Sequence, residues 1–304
     1  MAIDRAINAA RFWRVRAVDS KERHPLSAWS HGIQIAHYES VYKRITTTRS
    51  VAVYVSNSFN QGIFKFLLLD GRPSGCDIKL VEAIVEQLPA QMGMDGRFTL
   101  NLMSVSWETL LTTPGDGRAD LIISTITKGP EREEKYKIKF SDAYYRTTQA
   151  VVFRAGEPVR PIREMLAGKC LGVQAETTSE KLLEALRKGM GEHEQPIVRK
   201  FDQVEVLMNE FLSPQGGIDY MITDTPFAIS VQLRKRQDGV PLLAYKEFTH
   251  EDCPKGIPES QHVEEYAIAV RSGEVKLVEA MNAIMTRRTQ DDTLTSFCEA
   301  AQME

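Results

Sequence analysis

The sequence predicts an α/β protein of two lobes, each a mainly parallel sheet flanked by helices. Its 304 residues bury a sizeable core and exceed what one core usually holds. From Ser50 onward, strand-like and helix-like patterns alternate. Short connections in the order β-α-β-α-β set parallel strands side by side with helices on their faces.

The elements follow in order. VAVYV (51–55) is rich in β-branched residues and reads as a buried strand. After the loop SNSFNQGIFKF and the turn signal Asp70-Gly71-Arg72-Pro73, Asp77 is placed to cap a helix. Ile78, Val81, Ile84, Val85 and Leu88 recur along it at helical spacing. FTLNLMSV (98–105) is a second strand, Trp107–Thr113 a short helix entered at Ser106, and LIIST (121–125) a third strand. Phe140-Ser141-Asp142 reads as a turn. A second set then begins with strands AVVF (150–153) and CLGVQ (170–174). Thr177 and Glu180 fit a capping box for a helix carrying Leu182, Leu183 and Leu186, and Gly189 fits its stop. A helix around Val204–Phe211 and the strand IDYMIT (218–223), ending at Asp224, come next. Residues 233–262, charged and holding Pro241, Pro254 and Pro258, read as loop and connection. EYAIAV (265–270) is a strand, Lys276–Thr289 an amphipathic helix, and Leu294–Ala301 a short terminal helix. Residues 1–49 differ from the rest, being arginine-rich and without sustained periodicity, with a short amphipathic helix expected over Ala6–Val18.

Composition excludes several function classes. A net charge of -3 and a pI near 6.1 leave no electrostatic footprint for nucleic acid or an anionic membrane. Hydrophobic content of 42% and a mean hydropathy of -0.28 belong to an ordinary globular protein. The longest apolar runs are strand-sized, too short to span a bilayer. Cys76, Cys170, Cys253 and Cys298 form no C-x-x-C pair, so free or buried thiols are expected. The six histidines are scattered, with no H-E-x-x-H, and no metal is expected. With no Walker loop, no G-x-G-x-x-G after a strand and no G-x-S-x-G elbow, neither a cofactor nor a catalytic residue is expected.

What remains is three polar clusters at strand ends, where ligands of parallel sheets sit. Ser124, Thr125 and Thr127 follow LII, and Arg132 comes one short loop later. A guanidinium is a planar two-pronged donor for a carboxylate, and hydroxyls fill the remaining lone pairs. The same residues also fit a loop with a surface salt bridge. Thr177-Thr178 opens a helix, where free N–H groups favour an anion, or simply caps it. Asp224 follows a buried strand and suits an ammonium, or caps the turn before Pro226. Together the three match the polar part of an α-amino acid, and Trp107 offers a flat wall to a side chain, or packs in the core.

These residues also carry a resemblance. The runs G-x-D-x-x-L-x-x-A-I (75–84), S-W-E-T-L (106–110), A-D-L-I-I-S-T-I-T (119–127), E-R-E-E (131–134) and F-S-D-A-Y-Y (140–145) resemble the polar amino-acid solute-binding proteins of ABC importers. L-G-V-Q-A-E-T-T (171–178), I-D-Y-M-I-T-D (218–224) and Y-A-I-A-V-R (266–271) continue the match in order. The resemblance covers roughly residues 50–301. It implies the type II periplasmic-binding-protein fold, two α/β lobes joined by two crossing strands. Lobe one would be 50–146 plus 263–304, lobe two 147–245, and 246–262 a connection, with 1–49 an extension of unknown role. It also implies a monomer that captures an amino acid or close analogue and presents it to an ABC permease or a receptor. Arg132 would hold the ligand carboxylate with Thr127 and Thr178 near it, Asp224 the ammonium with Ser124 or Thr125, and Trp107 the side chain.

The chain departs from the family pattern in places. Cys76 stands where G-F-D has phenylalanine, Gly129 where T-x-x-R has threonine, Ala143 where D-P-Y has proline, and Glu176 where G-T-T has glycine. Glu176 either selects a basic ligand or points to solvent. The resemblance also allows an enzyme on this fold, similar to cyclohexadienyl or arogenate dehydratase, with Glu176 as its acid. The family works outside the cytoplasm, whereas the N-terminus carries no visible export signal.

Overall fold

The structure, a computed structural model, describes residues 40–58, 64–67, 71, 73–232, 241–252 and 262–290. The helices expected at Ala6–Val18 and Leu294–Ala301 lie outside these residues.

Helix α1 (Val41–Thr48) leads into strand β1 (Ser50–Ser56). Strands β2 (Phe66–Leu67) and β3 (Pro73–Ser74) form a small ribbon before helix α2 (Cys76–Gln91). Strand β4 (Thr99–Val105), helix α3 (Trp107–Leu110), strand β5 (Leu121–Ile122) and helix α4 (Pro130–Tyr136) follow. Strand β1 lies between β4 and β5, parallel to both. Being central, it is buried on both faces, which explains its unbroken apolar run from Val51 to Val55. Val51, Val53 and Val55 enter one core cluster with α2, and Ala52 and Tyr54 enter the other with Trp107 and Leu110.

The 17-residue strand β6 (Ile138–Arg154) carries the chain from one lobe to the other. Helix α5 (Ile162–Leu166), strand β7 (Cys170–Gln174), helix α6 (Thr178–Lys188), strand β8 (Ile197–Phe201), helix α7 (Val204–Leu212), strand β9 (Tyr220–Asp224) and helix α8 (Thr225–Gln232) build the second lobe. There β7 is parallel to β8 and β9. Strand β10 (Leu243–Glu247) pairs antiparallel with the end of β6. Strand β11 (Val263–Arg271) then returns along the first half of β6, and helix α9 (Val275–Gln290) packs against lobe one. One sheet therefore runs β4-β1-β5-β11-β6-β9-β7-β8, with β10 beside β6. The parallel ladders lie in each lobe, and antiparallel strands cross between them.

The structure corrects several expectations. Phe140-Ser141-Asp142 is no turn but part of β6. Its polar look comes from Ser141, whose hydroxyl accepts from Ile268 N at 3.0 Å where the β6–β11 register shifts. Residues 243–247, read as connection, form β10, because pairing with β6 satisfies a backbone whose own sequence is charged and mixed. Strand β5 is shorter than LIIST, since Thr125 takes the left-handed conformation (φ +49°) and leaves the ladder. Asp77 does not cap α2. The N-cap is Gly75, at φ +115°, where a Cβ would stand 2.5 Å from the Phe64 carbonyl oxygen. Asp77 is instead fully buried in the first turn, accepting from the Tyr144 hydroxyl at 2.7 Å and from Thr125 N at 2.9 Å. Burial raises its pKa to about 6. The thiol expectation fails at Cys76, which is disulfide-bonded, while Cys170 is free.

Helix α1 precedes the expected start of lobe one yet is built into it. Val41 and Ile45 are fully buried. The Glu274 carboxylate accepts from Val41 N at 2.7 Å. Arg44 forms a two-pronged ion pair with Asp120, Nε to Oδ1 at 2.7 Å, and both side chains are inaccessible. Asp120 also accepts from Ala52 N at 2.6 Å, tying helix, central strand and the start of β5 together. Removing one partner of such a pair strands a buried charge. Asp120→Ala should therefore destabilise the fold by about 3–5 kcal/mol and lower Tm by roughly 10 °C. Thermal unfolding followed by circular dichroism checks this.

Candidate functional site

The two lobes face each other across a cleft that is open to solvent. Its lobe-one wall comes from the segment after β5. Buried Ile123 and Ile126 hold this segment in the core, and its polar residues emerge between them. Asp77 pins Thr125 from below, and an isolated bridge joins Thr127 to Tyr266 of β11. Thr125 and Thr127 line the cleft. Pro130 starts α4 directly after Gly129, which places Arg132 in its first turn, facing inward and only 7% exposed.

Arg132 Nη1 donates to the Thr127 carbonyl at 2.7 Å, and Nη2 to the Glu176 carbonyl of the opposite lobe at 3.2 Å. Its guanidinium carbon lies 5.7 Å from the centre of the Trp107 ring, a cation–π contact. Burial lowers the guanidinium pKa, and the carboxylates of Glu264 and Asp224 oppose this. Trp107 is buried and lines the cleft, and its indole N–H finds no partner among the described residues.

The lobe-two wall comes from β9 and the start of α6. The Thr177 hydroxyl accepts from Glu180 N at 3.4 Å, so the expected cap is present. The returning leg differs, because Glu180 Oε2 accepts from Glu176 N at 2.7 Å. Thr178 and Asp224 line the cleft. Asp224 Oδ2 accepts from the buried Tyr266 hydroxyl at 2.6 Å. Burial first, and then the charge of Glu264, push the Asp224 pKa up to about 8, with Tyr266 and Arg132 pulling the other way.

Two of the sequence-derived residues stand apart. Ser124 is fully buried outside the cleft lining. Its hydroxyl oxygen accepts from Lys65 Nζ at 2.9 Å and from Ser56 N at 3.3 Å. Burial pulls Lys65 down to about 7, and Asp77 and Glu205 counter it. The Glu176 side chain is half exposed at the rim, also outside the lining. Its Oε2 accepts from Lys135 Nζ at 2.6 Å and from the Tyr136 hydroxyl at 3.0 Å, contacts between the lobes that lower its pKa.

Sequence reasoning missed Glu264, Tyr266 and Phe64, of which the last two line the cleft. Glu264 is fully buried and ties three elements together. Its Oε1 accepts from Gln149 Nε2 at 2.5 Å, and its Oε2 accepts from the hydroxyls of Thr127 and, at 3.0 Å, Thr178. A signal existed, because the period of two puts Glu264 on the same strand face as Tyr266 and Ile268, both buried.

The model of the bacterial extracellular solute-binding proteins, family 3, matches residues 56–300. The chain belongs to that family. Among relatives of this solute-binding protein, a probable histidine-binding protein from Neisseria gonorrhoeae is 24% identical over 219 residues, covering 72% of this chain and 71% of the relative. In fold it is similar to the amino acid ABC transporter substrate-binding protein AbpA from Streptococcus pneumoniae, bound to L-arginine (TM-score 0.68, 21% identity, 86% of this chain and 98% of that one). It is similar too to the ancestral amino acid-binding protein AncCDT-1, a precursor of cyclohexadienyl dehydratase (TM-score 0.66, 20% identity, 86% and 98%). These likenesses give the solute-binding protein its two-lobed fold. The backbone at Glu176 accounts for the glycine of the family pattern there. Its φ is +60°, a region that favours glycine.

Proposed function

We propose that this solute-binding protein captures an amino acid between its lobes and delivers it to a membrane transporter or a receptor. Arg132 holds the α-carboxylate, with Thr127 and Thr178 at the start of α6 beside it. Asp224 holds the α-ammonium beside Thr125, and Trp107 flanks the side chain. One observation carries this reading: a buried guanidinium of one lobe and a carboxylate of the other line a single cleft. A zwitterion needs those two charges apart, and closing the lobes brings both onto it. The histidine and arginine in the relatives' names support the ligand class. Work outside the cytoplasm is supported by the family's extracellular description and by the disulfide at Cys76, which suits an oxidising compartment.

A ligand that binds only the folded state raises its melting temperature. A thermal-shift screen against the common amino acids should find at least one that does, and a flat response to all of them would overturn the reading. The dehydratase alternative loses support at Glu176, whose carboxyl is held below its usual range by Lys135 and Tyr136, a poor state for an acid at neutral pH. Incubation with prephenate or arogenate should yield no aromatic product, and product above the buffer control would restore the enzyme.

A further inference from the structure

We propose that Glu264 sets the net charge of the ligand, selecting an amino acid with a cationic side chain over neutral and acidic ones. The inference rests on the amino-acid reading of the cleft and deepens it.

All three hydrogen bonds to Glu264 given above come from neutral donors, Gln149, Thr127 and Thr178. They satisfy its lone pairs without bringing a positive charge to it. The cation facing it is Arg132, which Asp224 also faces. A zwitterionic ligand adds one carboxylate and one ammonium, so Arg132 is then opposed by three carboxylates with a single ammonium to help. One negative charge stays unbalanced in a buried site. The neighbouring elements do not correct this among the described residues. Tyr266 of β11 is a neutral donor to Asp224, Lys135 of α4 is paired with Glu176, and Lys65 faces both Asp77 and Glu205.

The mouth of the cleft carries the same sign independently. Beside Trp107, Glu108 of lobe one is exposed, and the carboxylates of Asp202 and Glu176 on lobe two raise its pKa. Gln174, which lines the cleft, donates to the Asp202 backbone carbonyl at 3.1 Å, so Asp202 neighbours a lining residue. A ligand side chain passing Trp107 approaches these carboxylates, while Asp224 lines the cleft and Glu264 lies buried behind Thr127 and Thr178. A positive charge on that side chain is favoured from both ends.

Calorimetry with L-arginine, its uncharged near-isostere L-citrulline and L-glutamate tests the proposal. The wild-type protein should bind arginine about tenfold or more tighter than citrulline, with glutamate weakest. Glu264→Gln keeps the shape and removes the charge, and should shrink the arginine-to-citrulline ratio by about tenfold. An unchanged ratio in the variant overturns the role of Glu264 alone. Wild-type binding of citrulline as tight as arginine overturns the charge selection even where the variant does not fold. Binding of no amino acid at all by the wild type overturns the amino-acid reading with it.

Discussion

Arg132→Ala should weaken ligand binding by about 3–5 kcal/mol, a hundredfold or more, while the protein stays folded. The guanidinium is enclosed by Trp107, by the Thr127 carbonyl and, across the cleft, by the Glu176 carbonyl. In such surroundings a charge-assisted, two-pronged bond to a carboxylate is far stronger than at a surface. Arg132→Lys keeps the charge but not the planar fork, and should recover only part of the loss. Titration calorimetry of both variants, with circular dichroism to confirm folding, measures this. Unchanged affinity in Arg132→Ala would remove Arg132 from the site.

Acidification should weaken binding through Asp224, by up to about tenfold for each pH unit below 8. Burial and the neighbouring charge of Glu264 raise this carboxyl to about 8. Below that pH it carries a proton, and an ammonium binds well only to the carboxylate. Binding at neutral pH therefore releases a proton, visible as a heat that changes with the ionisation enthalpy of the buffer. Asp224→Asn should abolish both the proton release and the pH dependence, and cost at least about 2 kcal/mol of affinity at pH 8. A buffer-independent heat in the wild type would sink this account. The effect on folding has the opposite sign. Because the folded pKa lies above the unfolded value of about 3.9, the contribution of Asp224 to stability is full below that value. It is lost as pH rises through about 8. An ammonium beside Asp224 offsets that loss, so ligand-induced stabilisation should grow toward alkaline pH.

Much of the fold was legible because it rests on local patterns. Strand β1 announced itself by β-branched residues, α2 by apolar residues at helical spacing, and α6 by Thr177 and its glycine stop. The errors fell where a long-range partner decides the local structure. Phe140-Ser141-Asp142 looks like a turn until Ser141 is seen to satisfy Ile268 N across a register shift. Asp77 looks like a cap until Gly75 is seen to take that position against the Phe64 carbonyl. Strand β10 exists because β6 offers it a ladder.

The same division holds for the cleft. Arg132, Asp224, Thr178 and Trp107 were found from the sequence because each follows a strand end, and strand ends of one sheet converge. Which hydroxyls face the cleft was not legible, because Ser124 and Thr125 differ only in the left-handed turn that Asp77 holds in place. By itself the sequence determined the alternation of strands and helices, and it singled out Arg132 and Asp224, which line one cleft. Only the tertiary structure decided that Glu264 lies buried behind the cleft wall. Its partners Thr127, Gln149 and Thr178 come from three distant segments, and a carboxylate is buried only where folding brings enough donors to it.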